Sequence, residues 1–266
     1  MTALHAAVLG LVQGATEFLP ISSSGHLILV PRLLGWPDQG LAFDAAVHLG
    51  TVLALLCYFA GELRRLAAGA WNGRPDDRRL AAALALGSVP VGIAGFAFER
   101  VIETRLRSTT VVAVSTIVWA LVLWLADRHA ARGGGVHDLR DVGLTRAVGV
   151  GLAQTLALIP GTSRSGITIS AGLFAGLDRS TAARFAFLLG LPVTVAAGLL
   201  ETAQIAADGL TAAMAGELAV GVGTSFLAGL AAISFLVSFL RTRTLLVFVV
   251  YRIVLGVLLL WLARGA

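Results

Sequence analysis

The chain has 266 residues, of which 57% are hydrophobic and 13% charged, and its mean hydropathy is +0.87. A soluble domain normally carries about 25% charged residues, so the composition excludes one or two water-soluble domains and points to a single bundle of membrane helices. The formal charge of +5 rests on arginine, with no lysine, and these arginines are scattered between apolar segments instead of forming a stripe, which excludes nucleic acid as the natural partner.

The amino terminus has no basic n-region and no A-x-A-type site ahead of its polar motif, so no cleaved signal peptide is expected. Residues 4–34 are apolar but broken at Leu19-Pro20-Ile21-Ser22-Ser23-Ser24-Gly25. Proline ends the first helix, and the Ser and Gly run caps the next one and offers an anion-accepting start. Each half is too short for roughly 30 Å of hydrocarbon, so the segment reads as a re-entrant hairpin. Full spans follow at about 41–62, 80–98 and 108–127. The only cysteine, Cys57, lies inside the first of them, which leaves no disulfide framework and no thiolate metal cluster. Residues 128–146 form a basic connector. A second broken segment, 147–176, is interrupted at Ile159-Pro160-Gly161-Thr162-Ser163-Arg164-Ser165-Gly166, and spans at about 185–206, 217–240 and 245–263 complete the chain.

The two broken segments match at a constant offset of 141: Gly10 with Gly151, Leu11 with Leu152, Gln13 with Gln154, Ser22 with Ser163, Ser24 with Ser165, Gly25 with Gly166, Ile28 with Ile169 and Gly35 with Gly176. The chain therefore reads as two repeats, 1–127 and 147–266, each a hairpin followed by three spans. Three spans is an odd number, so the repeats have inverted topology. The expected fold is an all-α polytopic membrane protein with six full spans and two re-entrant hairpins. Charge orients it. The loops at 62–80 and 127–146 and the corners at 179–184 and 241–243 collect Arg64, Arg65, Arg74, Arg78, Arg79, Arg128, Arg132, Arg140, Arg146, Arg179, Arg184, Arg241 and Arg243 on one side, which should be cytoplasmic. The other side holds Arg32, a mixed-sign segment from Glu99 to Arg107, an acidic loop with Asp208 and Glu217, and Arg264, and both termini face it.

Non-helical backbone at membrane depth is tolerated only where protein or a water-filled cavity satisfies it, so the two breaks mark a cavity. Gln13 and Glu17 are four apart and share a helix face, with Gly10 and Gly14 leaving room for another backbone. An ionisable residue at this depth is a candidate for function because of its desolvation cost; the plainer alternative is a carboxylate that only braces the second hairpin. Ser22, Ser23, Ser24 and Gly25 open the next half-helix, where free amides can hold a phosphate oxygen. His26 follows, with an imidazole suited to proton transfer. The second break places Arg164 where Ser23 stands in the first, while Leu158 and Ile167 replace Glu17 and His26. One repeat thus supplies hydroxyl, imidazole and carboxylate, and the other a permanent cation shaped for phosphate, flanked by Thr162, Ser163, Ser165 and Gly166 as further phosphate ligands. Pseudo-symmetric hairpins meeting at the midplane would bring these groups together; the plainer alternative is a structural Arg164 that pairs with Glu17. Asp44 and His48, another i, i+4 pair, read as helix capping ahead of a functional use, and Arg252, beside Tyr251, as a snorkelling or internally paired cation ahead of a substrate contact. No H-E-x-x-H, Walker loop or GxGxxG context is present, so neither a built-in metal nor a nucleotide is implied.

Q-G-A-T-E-F-L-P-I-S-S-S-G-H at 13–26 and P-G-T-S-R-S-G at 160–166 resemble the two signature segments of the bacterial undecaprenyl-diphosphate phosphatase family, the BacA or UppP type linked to bacitracin resistance. Repeat order, span count and length resemble that family from end to end. The resemblance implies conversion of undecaprenyl diphosphate to the monophosphate in the bacterial inner membrane, recycling the carrier lipid of peptidoglycan synthesis. It also implies that Glu17, Ser23, His26 and Arg164 form the catalytic constellation. Many members have Glu where Gln13 stands, so the resemblance gives that side chain no assured catalytic or metal-binding role. Dependence on a divalent cation, Mg or Ca, is implied too; one carboxylate is a meagre ligand set, so the cation is expected to arrive on the diphosphate. Oligomeric state is left open, a homodimer included.

The expected chemistry is attack by Ser23 on the terminal phosphorus, with His26 or Glu17 managing its proton and Arg164 with the half-helix amides holding phosphoryl oxygens. His26 is the alternative nucleophile. The PAP2 lipid phosphatases share a P-S-G-H segment, but the absence of lysine and Ser170 in place of the required histidine separate this chain from them. A transporter or flippase of a polyprenyl phosphate lipid is the rival from another class, since inverted repeats with broken helices also describe secondary transporters. The chemical asymmetry of the two breaks favours the enzyme. The first hairpin enters from the outer face in this topology, so the headgroup is expected to enter from the periplasmic side.

Overall fold

A computed structural model describes residues 2–37, 39–106, 108–133, 135–208 and 212–264. Its first hairpin consists of α1 (Ala3–Phe18) and α2 (Ser23–Leu34); α3 (Leu41–Tyr58), α4 (Ala60–Trp71), α5 (Pro75–Arg105) and α6 (Thr109–Ala130) follow. The second hairpin is α7 (Leu144–Gln154), which tightens into a 3₁₀ turn at Thr155–Leu158, and α8 (Arg164–Phe174). The chain ends with α9 (Arg179–Asp208), α10 (Ala212–Phe239) and α11 (Leu246–Arg264). Among the described residues the only extended pairing is an isolated bridge between Val136 and Leu177.

Segments of α5, α6, α9, α10 and α11 are long and apolar enough to cross a membrane, and the bent pair α3–α4 makes a sixth candidate. That pair departs from the sequence reading. The span expected at 41–62 ends at Tyr58, and the chain turns by 64° into α4, a helix in the stretch read as a loop. The charges of Glu62, Arg64 and Arg65 fall just past the turn, and the bent helix keeps Leu66 and Gly69 buried and Arg64 exposed. The expected outer segment from Glu99 to Arg107 has most of its side chains outside the described residues, as has Asp208.

The helices interlock between repeats. α1 packs along α10 and α7 along α5, so each hairpin's first half-helix lies against the second-to-last span of the other repeat; α3 meets α9 and α6 meets α11, each pair exchanging under the same symmetry. The close approach needs glycine. A Cβ at Gly10 would collide with Gly221 O and Thr224 Oγ1, and one at the equivalent Gly151 with Gly87 O. Hydroxyls fasten the same seams. Ser225 donates to Val47 O at 2.7 Å and Ser88 to Leu189 O at 2.8 Å, each joining one repeat to the other.

The connector 128–146 folds back on the second hairpin. Val136 N donates to Gly176 O and Asp178 N to Val136 O, and Leu139 and Val142 are buried. Several arginines of this arginine-rich end find acids: Arg179 with Asp127 at 2.5 Å, Arg140 with Asp77 at 3.9 Å, and Arg184 with Glu62. The fold thus sets two broken hairpins side by side, each held by the opposite repeat.

Candidate active site

Both breaks have the same backbone solution. Ser22 and Ser163, equivalent at the 141 offset, are the only non-glycine residues with positive φ among those described, at φ 72 and 68. Their ψ values, 93 and 109, put them outside the ordinary left-handed helical well, a conformation that costs on the order of 1–3 kcal/mol and persists only where surroundings enforce it. The serine side chains repeat too: Ser22 Oγ lies 3.3 Å from Ser24 Oγ, and Ser163 Oγ 3.2 Å from Ser165 Oγ. The helix starts then differ. Ser163 caps α8 by accepting from Gly166 N at 3.2 Å, whereas Ser22 makes no side-chain cap on α2. The first-turn amides of α2 are the ones left without a cap.

One buried cation pins the two breaks together. Arg252 of α11 has no exposed surface, and it donates from Nε to Thr116 O at 3.2 Å, from Nη1 to Pro20 O at 3.3 Å, and from Nη2 to Gly161 O at 3.0 Å and Thr162 O at 2.9 Å. Fully buried, it does not snorkel, and among the described residues it pairs with no acid, the two uses the sequence suggested; three of its four acceptors are carbonyls freed near Pro20 and Pro160, where the helices break. Ser165 adds a bond from Oγ to Leu19 O at 3.0 Å, and Thr162, fully buried, shares a hydroxyl contact of 3.1 Å with Ser115. The hydroxyls of Thr162 and Ser165 therefore have bracing partners within the protein, while Ser24 is exposed.

At the junction sits Glu17. Its Oε1 accepts from Arg164 Nη2 at 2.9 Å; its Oε2 accepts from Ser23 Oγ at 2.7 Å and from Gln13 Nε2 at 3.1 Å. Residues 147 positions apart are thereby joined across the repeat boundary. Arg164 is oriented from behind by Gly190 O at 3.3 Å and by Thr194 Oγ1, on the turn of α9 disturbed by Pro192. No acceptor among the described residues is recorded for its Nε–H. A buried ion pair of this kind adds little net stability, because desolvation offsets the attraction, so its value lies in holding both groups in place. His26 is placed differently. Its Nδ1 is 2.7 Å from Ser22 O and its Nε2 2.6 Å from Tyr251 Oη, with the two rings stacked. A carbonyl can only accept, so Nδ1 carries the proton and Nε2 accepts from Tyr251. The imidazole is thus turned to Tyr251, and Ser23 has Glu17 as its partner.

Thr194 and Tyr251 have no role in the sequence reading, in which His48, whose Nε2 is 3.8 Å from Glu17 Oε2, is chiefly a capping residue and Arg252 chiefly a snorkelling or ion-paired cation. The i, i+4 spacing of Asp44 and His48 was a usable signal, but His48 Nδ1 bonds the backbone carbonyl of Asp44 while the rest of the ring faces α1.

The arrangement offers a hydroxyl whose proton already points at a carboxylate, a guanidinium with capacity left for an anion, and uncapped amides beside them: the parts list for phosphoryl transfer. Residues 6–258 match the family described as bacitracin resistance protein BacA. Among curated relatives, the chain is 47% identical to an undecaprenyl-diphosphatase of Teredinibacter turnerae, covering 97% of this chain and 98% of that one. It is 47% identical to one of Trichlorobacter lovleyi, over 97% and 96% of the two chains, and 46% identical to one of Thermomicrobium roseum, over 98% of each.

Proposed function

Because the chain belongs to the bacitracin resistance protein BacA family, we propose that it is a membrane-embedded undecaprenyl-diphosphatase, releasing inorganic phosphate from undecaprenyl diphosphate and leaving the monophosphate. The observation that carries this reading beyond likeness is the Ser23–Glu17–Arg164 chain of hydrogen bonds, at 2.7 and 2.9 Å. Ser23 Oγ attacks the terminal phosphorus as its proton moves to Glu17 Oε2; the Oγ–P bond forms while the bridging P–O bond breaks and its electrons leave on the lipid monophosphate. Arg164, whose Nε–H has no acceptor among the described residues, and the uncapped amides of α2 hold the phosphoryl oxygens. Such preorganised donors supply the largest share of catalysis in transfers of this type. Once Glu17 has released that proton, water attacks the phosphoserine and gives one proton to Glu17, which passes it to Ser23 Oγ as the Oγ–P bond breaks, regenerating the hydroxyl. Ser23 is the better nucleophile than His26, whose ring nitrogens both have partners.

The family resemblance carries a divalent cation with it. Among the described residues no three His, Cys, Asp or Glu side chains gather closely enough to hold one, and both oxygens of Glu17 are engaged. This donor set does not fit a resident ion; a cation such as Mg or Ca belongs with the incoming diphosphate. The prenyl tail lies against the apolar spans.

Purified protein in detergent, where no membrane separates two compartments, should release phosphate from undecaprenyl diphosphate. Ser23→Ala should fall at least about 10³-fold, and Arg164→Lys, which keeps the charge beside Glu17 but loses the fork, about 10²-fold. Near-normal turnover by a folded Ser23→Ala removes Ser23 as nucleophile. Binding or movement of the lipid without hydrolysis would favour the transporter reading instead.

The bacterial inner membrane is the proposed location, with the site opening to the periplasm; the arginine-rich loops at the opposite end support that orientation. With Cys57 replaced by Ala, a lone cysteine at exposed Ser24 should react with an impermeant maleimide from outside. Reaction only from the cytoplasm reverses the orientation.

A further inference from the structure

Each turnover must discharge one proton from this buried site. If Glu17 takes the Ser23 proton in the first half-reaction and keeps it, the carboxyl enters the second half already protonated and cannot accept a proton from the attacking water. The site therefore needs a way to shed one proton between the two steps, and Glu17 is nearly sealed, its side chain only 9% exposed.

The two oxygens of Glu17 are used differently. Oε1 is committed to Arg164, whereas Oε2 is the oxygen that faces the Ser23 hydroxyl. His48 Nε2 approaches that same Oε2, at 3.8 Å, from α3. On the far side of the ring, Nδ1 is 2.6 Å from Asp44 O. A carbonyl only accepts, so the proton of the neutral ring sits on Nδ1 and Nε2 is left as a lone pair. A lone pair turned toward a carboxylate oxygen is repulsive unless a proton lies between them. The contact makes chemical sense as a transfer pair, within reach through a small movement or one water. The His48 side chain is 34% exposed against 9% for Glu17, so it is the more accessible of the two groups.

We propose that His48 is the proton outlet of this site. The O–H bond of Ser23 breaks as Glu17 Oε2–H forms; Glu17 Oε2–H then breaks as His48 Nε2–H forms, and the imidazolium gives its proton to water. The carboxylate beside Arg164 is restored, ready to take a proton from the water that cleaves the phosphoserine and to hand it to the departing Ser23 Oγ, 2.7 Å away. His48 acts through Glu17 and touches neither phosphate. The inference rests on the reading of Ser23 as nucleophile and Glu17 as base.

The test uses the full chain in detergent with undecaprenyl diphosphate. His48→Asn keeps a side-chain N–H for Asp44 O but has no counterpart of Nε2, and His48→Ala leaves space for a small base. In both, kcat should fall about 10²-fold with KM little changed, and imidazole added to His48→Ala should restore kcat about tenfold or more while leaving wild type unaffected. A bracing role alone would not give rescue by a free base. Wild-type kcat in His48→Asn, or a loss in His48→Ala that imidazole does not repair although the thermal midpoint holds, overturns the outlet role and leaves the Ser23 reading standing if Ser23→Ala is inactive. Turnover by Ser23→Ala sinks the underlying reading, and the outlet with it.

Discussion

The two broken hairpins share one backbone and divide the chemistry. Each turns through a positive-φ serine, each has a serine pair bridging the turn, and each packs its first half-helix on the opposite repeat. The first carries Glu17, Ser23 and His26 where the second has Leu158, Arg164 and Ile167. The repeated backbone supplies a symmetric cradle, and in the proposed mechanism the few side chains that differ supply its chemistry. Opposite charges drawn from opposite repeats meet on one carboxylate, so the site exists only when both halves are seated. A transporter cycling between two faces has use for symmetric binding groups; this pair lacks that symmetry at the positions to which the proposal assigns bond breaking.

If the cradle is one unit, a single substitution should loosen both breaks together. Arg252→Met is that substitution. It retains an unbranched apolar stem but removes the donors to Pro20 O, Thr116 O, Gly161 O and Thr162 O. A buried acceptor left unpaired costs about 1–3 kcal/mol, so a loss of roughly 3–5 kcal/mol is expected even after partial relaxation. In a chain of this size that corresponds to a fall in melting midpoint on the order of 10 °C. Activity should fall with it, because Ser23 and Arg164 each begin just beyond a pinned carbonyl. A midpoint within a degree or two of wild type would show that Arg252 holds neither break.

The hairpins and the repeat were legible because their signals are local. Proline, then serine and glycine, interrupts apolar runs too short to span, and the 141 offset survives in residues the turn requires. The Arg164–Glu17 meeting was legible at one remove, since the repeat suggested that equivalent breaks face each other. The bend after Tyr58 was not anticipated, because hydropathy averages across Phe59 and hides the charges that begin at Glu62. His48, Thr194, Tyr251 and Arg252 lie in helices that are apolar on every side, and only tertiary packing decides which face meets the hairpins. Thr162 and Ser165, read from their motif as phosphate ligands, have their hydroxyls on Ser115 and Leu19 O, a commitment no spacing reveals.

The smallest expected effect separates the two turns themselves. Ser22 and Ser163 hold nearly the same unfavourable φ and ψ, so glycine at either position should relieve strain on the order of 1 kcal/mol or more. Ser163→Gly also loses the bond to Gly166 N that caps α8, a loss of a few tenths of a kcal/mol when glycine replaces a capping serine. Ser22 has no such cap to lose. Ser22→Gly should therefore raise the melting midpoint in detergent by about 2–4 °C, and Ser163→Gly by less. Equal shifts would mean that the Ser163 cap contributes nothing to α8. A lower midpoint for Ser22→Gly would mean that the Ser22–Ser24 contact, not strain, governs the first turn, and that the two breaks differ in their backbone energetics as well as in their side chains.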